Sequence, residues 1–506
     1  MEEIQKVVQL LEFPSLPLLL ATLAFIFFLV KRSSAKSSQK NVKLPPGPPK
    51  LPVIGHLHHM VGELPHRLLT RMARQYGPVI HLKLGEISTV VISSREAAKE
   101  VLKVQDPACA DRPDSIGTKI LWKGDFIFSQ YNEFWRQMKK VATVEMLSIK
   151  NVRSYEYIRQ EEAARLVATV RTAAGEAMDL TEKMYAYSSA MTCRAALGTV
   201  AKNNSAVLVE LMKTANPMAA GFELADLFPS SKLLNILCLN KYKLMWMRRK
   251  LDKVLDAVVE EHKLGRSGEF GGEDTVDVLL RLTTDPRLQN ILTLDGIKGV
   301  IFDLFTAGTE TSSTTMNWAM TELMRSPRVM AKLQSEIRES LKGKTTVEDS
   351  YLQSLPYLSR VIKETLRLHP PVPLLPRACR TEDCTAAGYT IPKNAKVVVN
   401  AWSMGRDPKY WDRPDEFRPE RFENNSVDFL GNDMELIPFG AGRRLCPGMN
   451  FGVANVVLPL SQLLYHFDWK LPEGKSLDDV DLLEVEGLVM MKKNPLILVP
   501  TPYKEE

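Results

Sequence analysis

One run of ten residues, Phe439-Gly440-Ala441-Gly442-Arg443-Arg444-Leu445-Cys446-Pro447-Gly448, carries the most distinctive chemistry in the chain. Two glycines ahead of the cysteine permit tight backbone geometry. Pro447 suits the first turn of a helix, and Asn450–Leu464 is helical and apolar enough to be buried. Cys446 thus falls near a helix N-terminus, where free N–H groups and the dipole favour a thiolate. Arg443 and Arg444 add positive charge. A single cysteine is usually an inert buried thiol. One held in a shaped, electropositive loop suits an axial ligand to heme iron.

A second conflict of local signals lies in Leu294–Arg325. Its apolar spacing predicts a long helix, yet Ala307-Gly308-Thr309-Glu310-Thr311-Ser312 interrupts it with poor helix formers. Their hydroxyls compete for carbonyls one turn back. Such a run marks either a kinked buried helix or a functional site. Glu310 is costly to bury unless wetted or paired, which suits a proton relay. Glu364 and Arg367 share a helix face in Lys363-Glu-Thr-Leu-Arg-Leu368, which alone reads as an ordinary surface pair.

The cysteine run resembles the heme-binding loop of cytochrome P-450 enzymes. The resemblance is strongest to the plant A-type group, where Pro-Phe-Gly precedes the loop and Arg-Arg stands before the cysteine, and it extends over essentially the whole chain. It implies heme b as cofactor with Cys446 as the axial thiolate. Thr311 is implied to hydrogen-bond dioxygen and Glu310 to help relay protons. Arg421, in Phe417-Arg-Pro-Glu-Arg-Phe422, is implied to join Glu364 and Arg367 in a buried triad that locks the core. Trp135, Lys139, Arg377 and Arg444 match contacts to the heme propionates, and Phe439 and Ala307 match further cofactor contacts. The family usually has arginine where Lys139 stands, and lysine keeps the charge while losing the bidentate fork. Lys139 therefore faces either a propionate or solvent. Arg136 and Lys140 read as solvated.

The elements that must position these groups are mainly α with small β-sheets, with heme between the Thr311 helix and the cysteine loop. Val79–Leu84 and Ile87–Ile92 alternate around Gly85-Glu86 as a hairpin. Helical spacing covers Arg95–Val104, Val152–Arg171, Lys241–His262 and Pro327–Leu341, and strand-like pieces occur at Tyr389–Ile391 and Val397–Asn400. Gly265–Gly272 reads as a mobile connector.

Residues 1–30 are expected to form an N-terminal membrane anchor, whose apolar run Phe13–Val30 is at the short end of bilayer-spanning length. The leader holds Glu2, Glu3, Lys6 and Glu12, and Lys31, Arg32 and Lys36 follow, an arrangement that fits an uncleaved anchor better than a cleaved signal. Residues 31–50 form a polar and proline-rich linker, and residues 51–506 the catalytic domain. The implied location is the endoplasmic reticulum membrane with the catalytic domain in the cytosol. Phe228–Leu239, followed by Lys241, Lys243, Trp246, Arg248 and Arg249, is either an interfacial contact or a buried connector.

The 506 residues are 45% hydrophobic and 25% charged with a net charge of +6, which excludes a disordered chain and gives no basic patch for nucleic acid. Six cysteines are too sparse for a disulfide scaffold, and Cys379 and Cys384 lack a second pair that would complete a zinc site. Apart from Cys446 they read as plain thiols.

The expected function is a monooxygenase that inserts one oxygen atom of dioxygen into a small hydrophobic substrate. No flavin or nicotinamide motif appears, so the resemblance implies an NADPH-dependent cytochrome P-450 reductase as partner. Positions matching substrate-facing regions are apolar: Ile116, Leu121, Phe126, Phe128, Phe305, Ala307, Leu374, Leu375 and Leu488, with Glu486 discordant. Terpenoids come first as substrates, with alkaloids and phenolics behind. The rival classes are a heme-thiolate isomerase or dehydratase acting on peroxides, against which the intact Glu310-Thr311 pair stands, and a non-catalytic heme sensor.

Overall fold

The computed structural model describes residues 43–198, 205–219, 221–265, 274–289, 291–344 and 348–504. The anchor expected at residues 1–30, the linker up to residue 42 and most of the Gly265–Gly272 connector lie outside these residues. Among the described residues no helix is long and apolar enough to cross a membrane.

The architecture is helical around one long element. In chain order the helices used below are α1 (Glu133–Val141), α2 (Glu156–Thr172), α3 (Leu180–Leu197), α4 (Leu239–Lys263), α5 (Leu294–Arg325), α6 (Pro327–Leu341), α7 (Pro356–Leu368) and α8 (Met449–His466). Helix α5 begins where the Thr293 side chain accepts from Gly296 N, and it stops before Pro327. It has the bounds that its spacing predicts and is buried on nearly all sides by α3, α8 and α7. Gly308 lets α3 approach, because a Cβ there would stand 2.9 Å from the Thr192 side chain.

The sheet lies to one side. Strands β1 (Val79–Leu84) and β2 (Ile87–Ile92) form the predicted hairpin, turning at Gly85 with φ +59°. Strand β2 pairs in parallel with β7 (Lys396–Asn400), and β7 pairs antiparallel with β4 (Leu374–Ala378), setting Arg377 opposite Val397. Strands β5 (Cys384–Ala386) and β6 (Tyr389–Ile391) make a separate hairpin. A three-stranded sheet joins β3 (Met178–Asp179), β9 (Ile497–Pro502) and β8 (Phe467–Lys470).

Two expected helices are broken. Arg95–Lys99 is α-helical, but Glu100–Val104 widens into a π-helical turn closed by Gln105 N to Glu100 O at 2.8 Å. Val152–Arg171 is split at Tyr155, where φ and ψ are −85° and 3°. The proline run read as the end of a linker is bound to the body: His81 N donates to Pro46 O at 2.8 Å, and Thr390 N donates to Lys43 O at 2.8 Å.

The triad implied by the resemblance forms as expected. Arg367 grips Glu364 with Nε at 2.7 Å and Nη2 at 2.8 Å, and Arg421 Nε donates to the same carboxylate at 2.8 Å. Arg418 N adds a fourth donor at 2.8 Å. The remaining guanidinium hydrogens go to carbonyls, including those of Gly405 and Pro414, each 2.6 Å from Arg367 Nη1. Glu364 and Arg367 are fully buried, which is tolerable only because the charges are paired and saturated with hydrogen bonds. Replacing Glu364 by Ala strands two guanidiniums. We expect a loss of about 3–5 kcal/mol, measured by denaturant unfolding of the purified protein; a loss below about 1 kcal/mol would make the triad a minor contact.

Candidate active site

A cavity of about 290 Å³ opens between α5 and the cysteine loop. Cys446 lies in its wall, and its backbone N donates to Phe439 O at 3.0 Å, closing the loop on itself. Gly440 and Gly442 have φ of +74° and +67°. A Cβ at Gly442 would also stand 2.0 Å from Leu102 O, so this glycine is required twice over. Asp106 pins the loop by accepting from Arg443 N at 2.6 Å. Helix α8 starts at Met449, one residue before the expected Asn450, with Pro447 just ahead of it. Burial pushes the Cys446 thiol up, against opposing help from Gly448 N–H and Lys139. The helix terminus alone therefore does not set a thiolate here; coordination to a metal would.

Four cations converge on the cavity: Lys139, Arg112, Arg377 and Arg444. None is ion-paired to a carboxylate among the described residues, and each leans on backbone carbonyls instead. Arg444 donates to Ala110 O at 2.8 Å and Ser129 O at 2.6 Å, with its guanidinium 4.3 Å from the Trp135 ring centre. Arg377 donates to Ala441 O at 2.8 Å, while its buried Nε and Nη1 have no partner. Arg112 donates to Ile127 O at 2.9 Å and also bonds Pro376 O. Lys139 bonds Leu445 O, the carbonyl just before Cys446. It faces the cavity, while Arg136 and Lys140 are exposed as expected. Burial draws Lys139 down to about 8, Arg444 to about 9 and Arg377 to about 10, with repulsion from neighbouring arginines added at Lys139 and Arg444. Crowded cations with free buried donors require anions. The two propionates of heme, with Cys446 available to the iron, fit this requirement, so the residues present suit the group.

Arg112 was not singled out by the sequence. It follows Ala110-Asp111 and precedes Pro113 with no periodicity, and only the fold brings it within reach of Arg444 and Arg377.

Thr311 and Ala307 line the cavity, and Thr311 Oγ1 donates to Ala307 O at 2.6 Å. Thr315 bonds Thr311 O in the same way at 2.8 Å, so the helix stays intact while its hydroxyls turn inward. Glu310 is not part of the cavity wall. One residue on a helix is a rotation of about 100°, and Glu310 is instead buried near Tyr185 of α3. Its Oε1 has no hydrogen-bond partner, and burial raises its pKa to about 8.

Among the apolar positions, Phe126, Phe128, Ala307, Leu375 and Leu488 line the cavity. Leu121 and Phe305 are core, Ile116 packs at the core's edge, and Leu304 takes the wall position expected of Phe305. Leu374 and the exposed Glu486 border a second cavity of about 100 Å³, which shares Phe128, Pro376 and Leu488 with the first. Asp303 also reaches the wall, but its carboxylate accepts from Phe126 N at 2.7 Å and Ile127 N at 3.2 Å. Burial beside Asp125 raises its pKa well above the usual range.

Comparison with known proteins agrees with this geometry. The family profile "Cytochrome P450" matches residues 45–499. The chain is 56% identical over 490 residues to "Cytochrome P450 71D13" of Mentha piperita, covering 96% of this chain and 97% of that one. It is 53% identical over 486 residues to "Cytochrome P450 71D181" of Origanum vulgare, covering 96% and 97%. Among solved structures, a zebra fish cytochrome P450 with progesterone superposes with a TM-score of 0.74 at 25% identity, covering 87% of this chain and all of that one. With the loop, the triad and the cation-lined cavity, these matches show that the chain belongs to the cytochrome P450 family, in its plant A-type group, and is a heme-thiolate monooxygenase.

Proposed function

We propose that Cys446 is the thiolate ligand and that the chain oxidises a small hydrophobic substrate, a plant terpenoid, with electrons drawn from NADPH through a flavoprotein reductase on the endoplasmic reticulum membrane. The observation that carries this reading is the meeting, in one cavity, of the Cys446 sulfur, four unpaired cations and an otherwise mainly apolar wall that includes Thr311. Bound heme supplies activation of dioxygen. The protein's residues do the rest. Lys139, Arg112, Arg377 and Arg444 neutralise the propionates, with Trp135 stacked behind Arg444 and Phe439 closing the cysteine loop. Thr311 directs its hydroxyl oxygen to the cavity, while Glu310 holds a proton one residue away.

The wall also ranks the substrates. Its charged side chains are the cations and the Asp303 carboxyl; among its hydroxyls, Thr311 and Thr315 are turned onto carbonyls, while those of Thr192 and Ser312 have no partner. Asp303 is held by two backbone N–H groups and is pushed toward its neutral form, so no free carboxylate waits for a protonated amine. A neutral terpene skeleton suits this surface better than a cationic alkaloid. The test is product analysis with terpene, alkaloid and phenolic panels in membranes that also contain reductase. Oxygenated terpenes are expected, and turnover confined to alkaloids or phenolics would refute the substrate class.

A membrane setting is supported at the surface. The short helix Lys232–Leu237 is exposed: Leu233 is 64% and Ile236 60% accessible, and Leu239 beyond it is 81% accessible. Lys241, Lys243 and Trp246 follow. An apolar patch beside lysines and a tryptophan fits an interfacial contact, in contrast to a buried connector.

Thr311→Ala should leave heme and substrate binding intact but lower product formed per NADPH consumed, by about tenfold or more, with peroxide released in its place. Coupling equal to wild type would remove Thr311 from proton delivery.

Glu310 gives a pH prediction. Its pKa is raised from about 4.5 to about 8, so the folded state takes up a proton that the unfolded state releases. Stability from this group is greatest below pH 4.5 and is lost as pH rises through 8. Glu310→Gln removes that loss. Between pH 5 and 8, unfolding free energy should fall less in the variant than in wild type, by a difference on the order of a few kcal/mol. Parallel curves would mean that Glu310 is not protonated in the folded protein.

A further inference from the structure

Away from the heme cavity, the fold brings Cys109 to the closely spaced pair Cys379 and Cys384, which lie 270 and 275 residues further along the chain. Cys109 Sγ lies 2.8 Å from Cys379 Sγ and 3.1 Å from Cys384 Sγ. All three are buried to within 1% of full burial, and their sulfurs lie within 4.8 Å of one another. They come from three segments: the short helix Asp106–Cys109, the residue after β4 and the first residue of β5. Cys379 is fixed by its N to Ala395 O at 3.1 Å and by Asn394 N to its own carbonyl at 2.5 Å. The trio belongs to an apolar cluster with Val101, Leu102, Ala386, Ile391 and Ala395.

Three convergent thiols can take a soft metal ion or be oxidised, and the surroundings decide between these. A metal–thiolate centre needs two or three sulfurs ionised in an apolar pocket, and a structural zinc site needs a fourth ligand. No fourth His, Cys or carboxylate joins the group among the described residues. A disulfide is neutral and costs no burial of charge. It requires only that one sulfur pair, already closer than non-bonded sulfur atoms pack, close to about 2 Å.

We propose that Cys109, Cys379 and Cys384 form a peroxide-oxidisable thiol site in which Cys109 is the shared partner of two alternative disulfides. Cys384 opens the sequence. It sits on the surface hairpin between exposed Asp383 and Thr385, and its sulfur accepts a hydrogen bond from the Cys109 thiol at 3.1 Å, which lowers its pKa. Its thiolate attacks one oxygen of hydrogen peroxide; the O–O bond breaks, and the leaving hydroxide takes up the thiol proton as water. The Cys109 thiol then attacks the resulting sulfenic sulfur, forms the S–S bond and releases a second water. Two thiols and one peroxide thus give one disulfide and two waters. Cys379, 2.8 Å from Cys109, can then attack Cys109 and expel Cys384 as a thiol, which returns the hairpin cysteine to its reduced form.

The location gives the site a consequence. Ala110, next to Cys109, offers its carbonyl to Arg444 Nε at 2.8 Å, and Arg377 stands two residues before Cys379. Either chain segment in the Cys109–Cys379 bond therefore carries a cavity arginine or its acceptor.

The experiment uses full-length holoenzyme in its membrane, exposed to hydrogen peroxide, quenched with iodoacetamide and mapped by peptide mass spectrometry. The expected result is a dithiothreitol-reversible link from Cys109 to Cys379 or Cys384, with the third cysteine alkylated after denaturation. In Cys109→Ser the link is absent; in Cys384→Ser the remaining pair oxidises only at the rate of an ordinary buried thiol. The wild-type map needs no variant to fold. Full alkylation of all three cysteines after peroxide would overturn the proposal. So would a stoichiometric zinc or copper content in the untreated protein that is lost in Cys109→Ser.

Discussion

Positive charge held without a partner is the constraint around which this molecule is arranged. Arg112, Arg377, Arg444 and Lys139 are brought into one apolar cavity, and none meets a carboxylate there among the described residues. Such burial of charge is unfavourable in the protein alone, and the depressed pKa values of Lys139, Arg377 and Arg444 express that cost, with repulsion from neighbouring arginines added at Lys139 and Arg444. The cost becomes a binding force once a dianionic cofactor enters. The fold therefore stores part of heme affinity in buried, uncompensated positive charge, and it does so beside the sulfur available to the iron.

Holding four cations in place demands rigid supports, and these come from different parts of the chain. Strand β4 presents Arg377 through its register with β7. Helix α1 presents Trp135 and Lys139 from one face. The loop around Ala110 and Ser129 supplies the carbonyls that orient Arg444. Behind them the Glu364–Arg367–Arg421 triad closes α7 onto the segment from Gly405 to Arg421 that leads to the cysteine loop. Charge is paired with charge where the task is to lock the fold, and left unpaired where the task is to receive a ligand.

How much of this was legible depended on whether a group acts through its own neighbours in sequence. The cysteine loop was readable because its glycines, arginines and proline all serve one local turn. Helices α5 and α6 were readable to their bounds because their apolar spacing agrees with the break at Ser326-Pro327 between them. The π-helical turn at Glu100–Val104 and the break at Tyr155 were not, because helical spacing continues through both. Arg112 escaped notice, since its role arises from contacts with residues near 377 and 444. The cysteine trio escaped for the same reason: Cys109 is 270 residues from Cys379. Adjacent residues misled in the opposite direction. Glu310 and Thr311 read as one unit, yet helix rotation sends the hydroxyl to the cavity and the carboxyl toward α3.

The central claim is that Cys446 is the sulfur on the iron, and the most direct measurement is the absorption spectrum of the reduced carbonyl complex of Cys446→Ser beside wild type. Serine oxygen is a harder and far weaker electron donor than thiolate. The account predicts that wild type gives the thiolate-type carbonyl band and that the variant, if it retains heme, lacks it. A variant with an unchanged thiolate-type band would show that another residue holds the iron and would contradict the account.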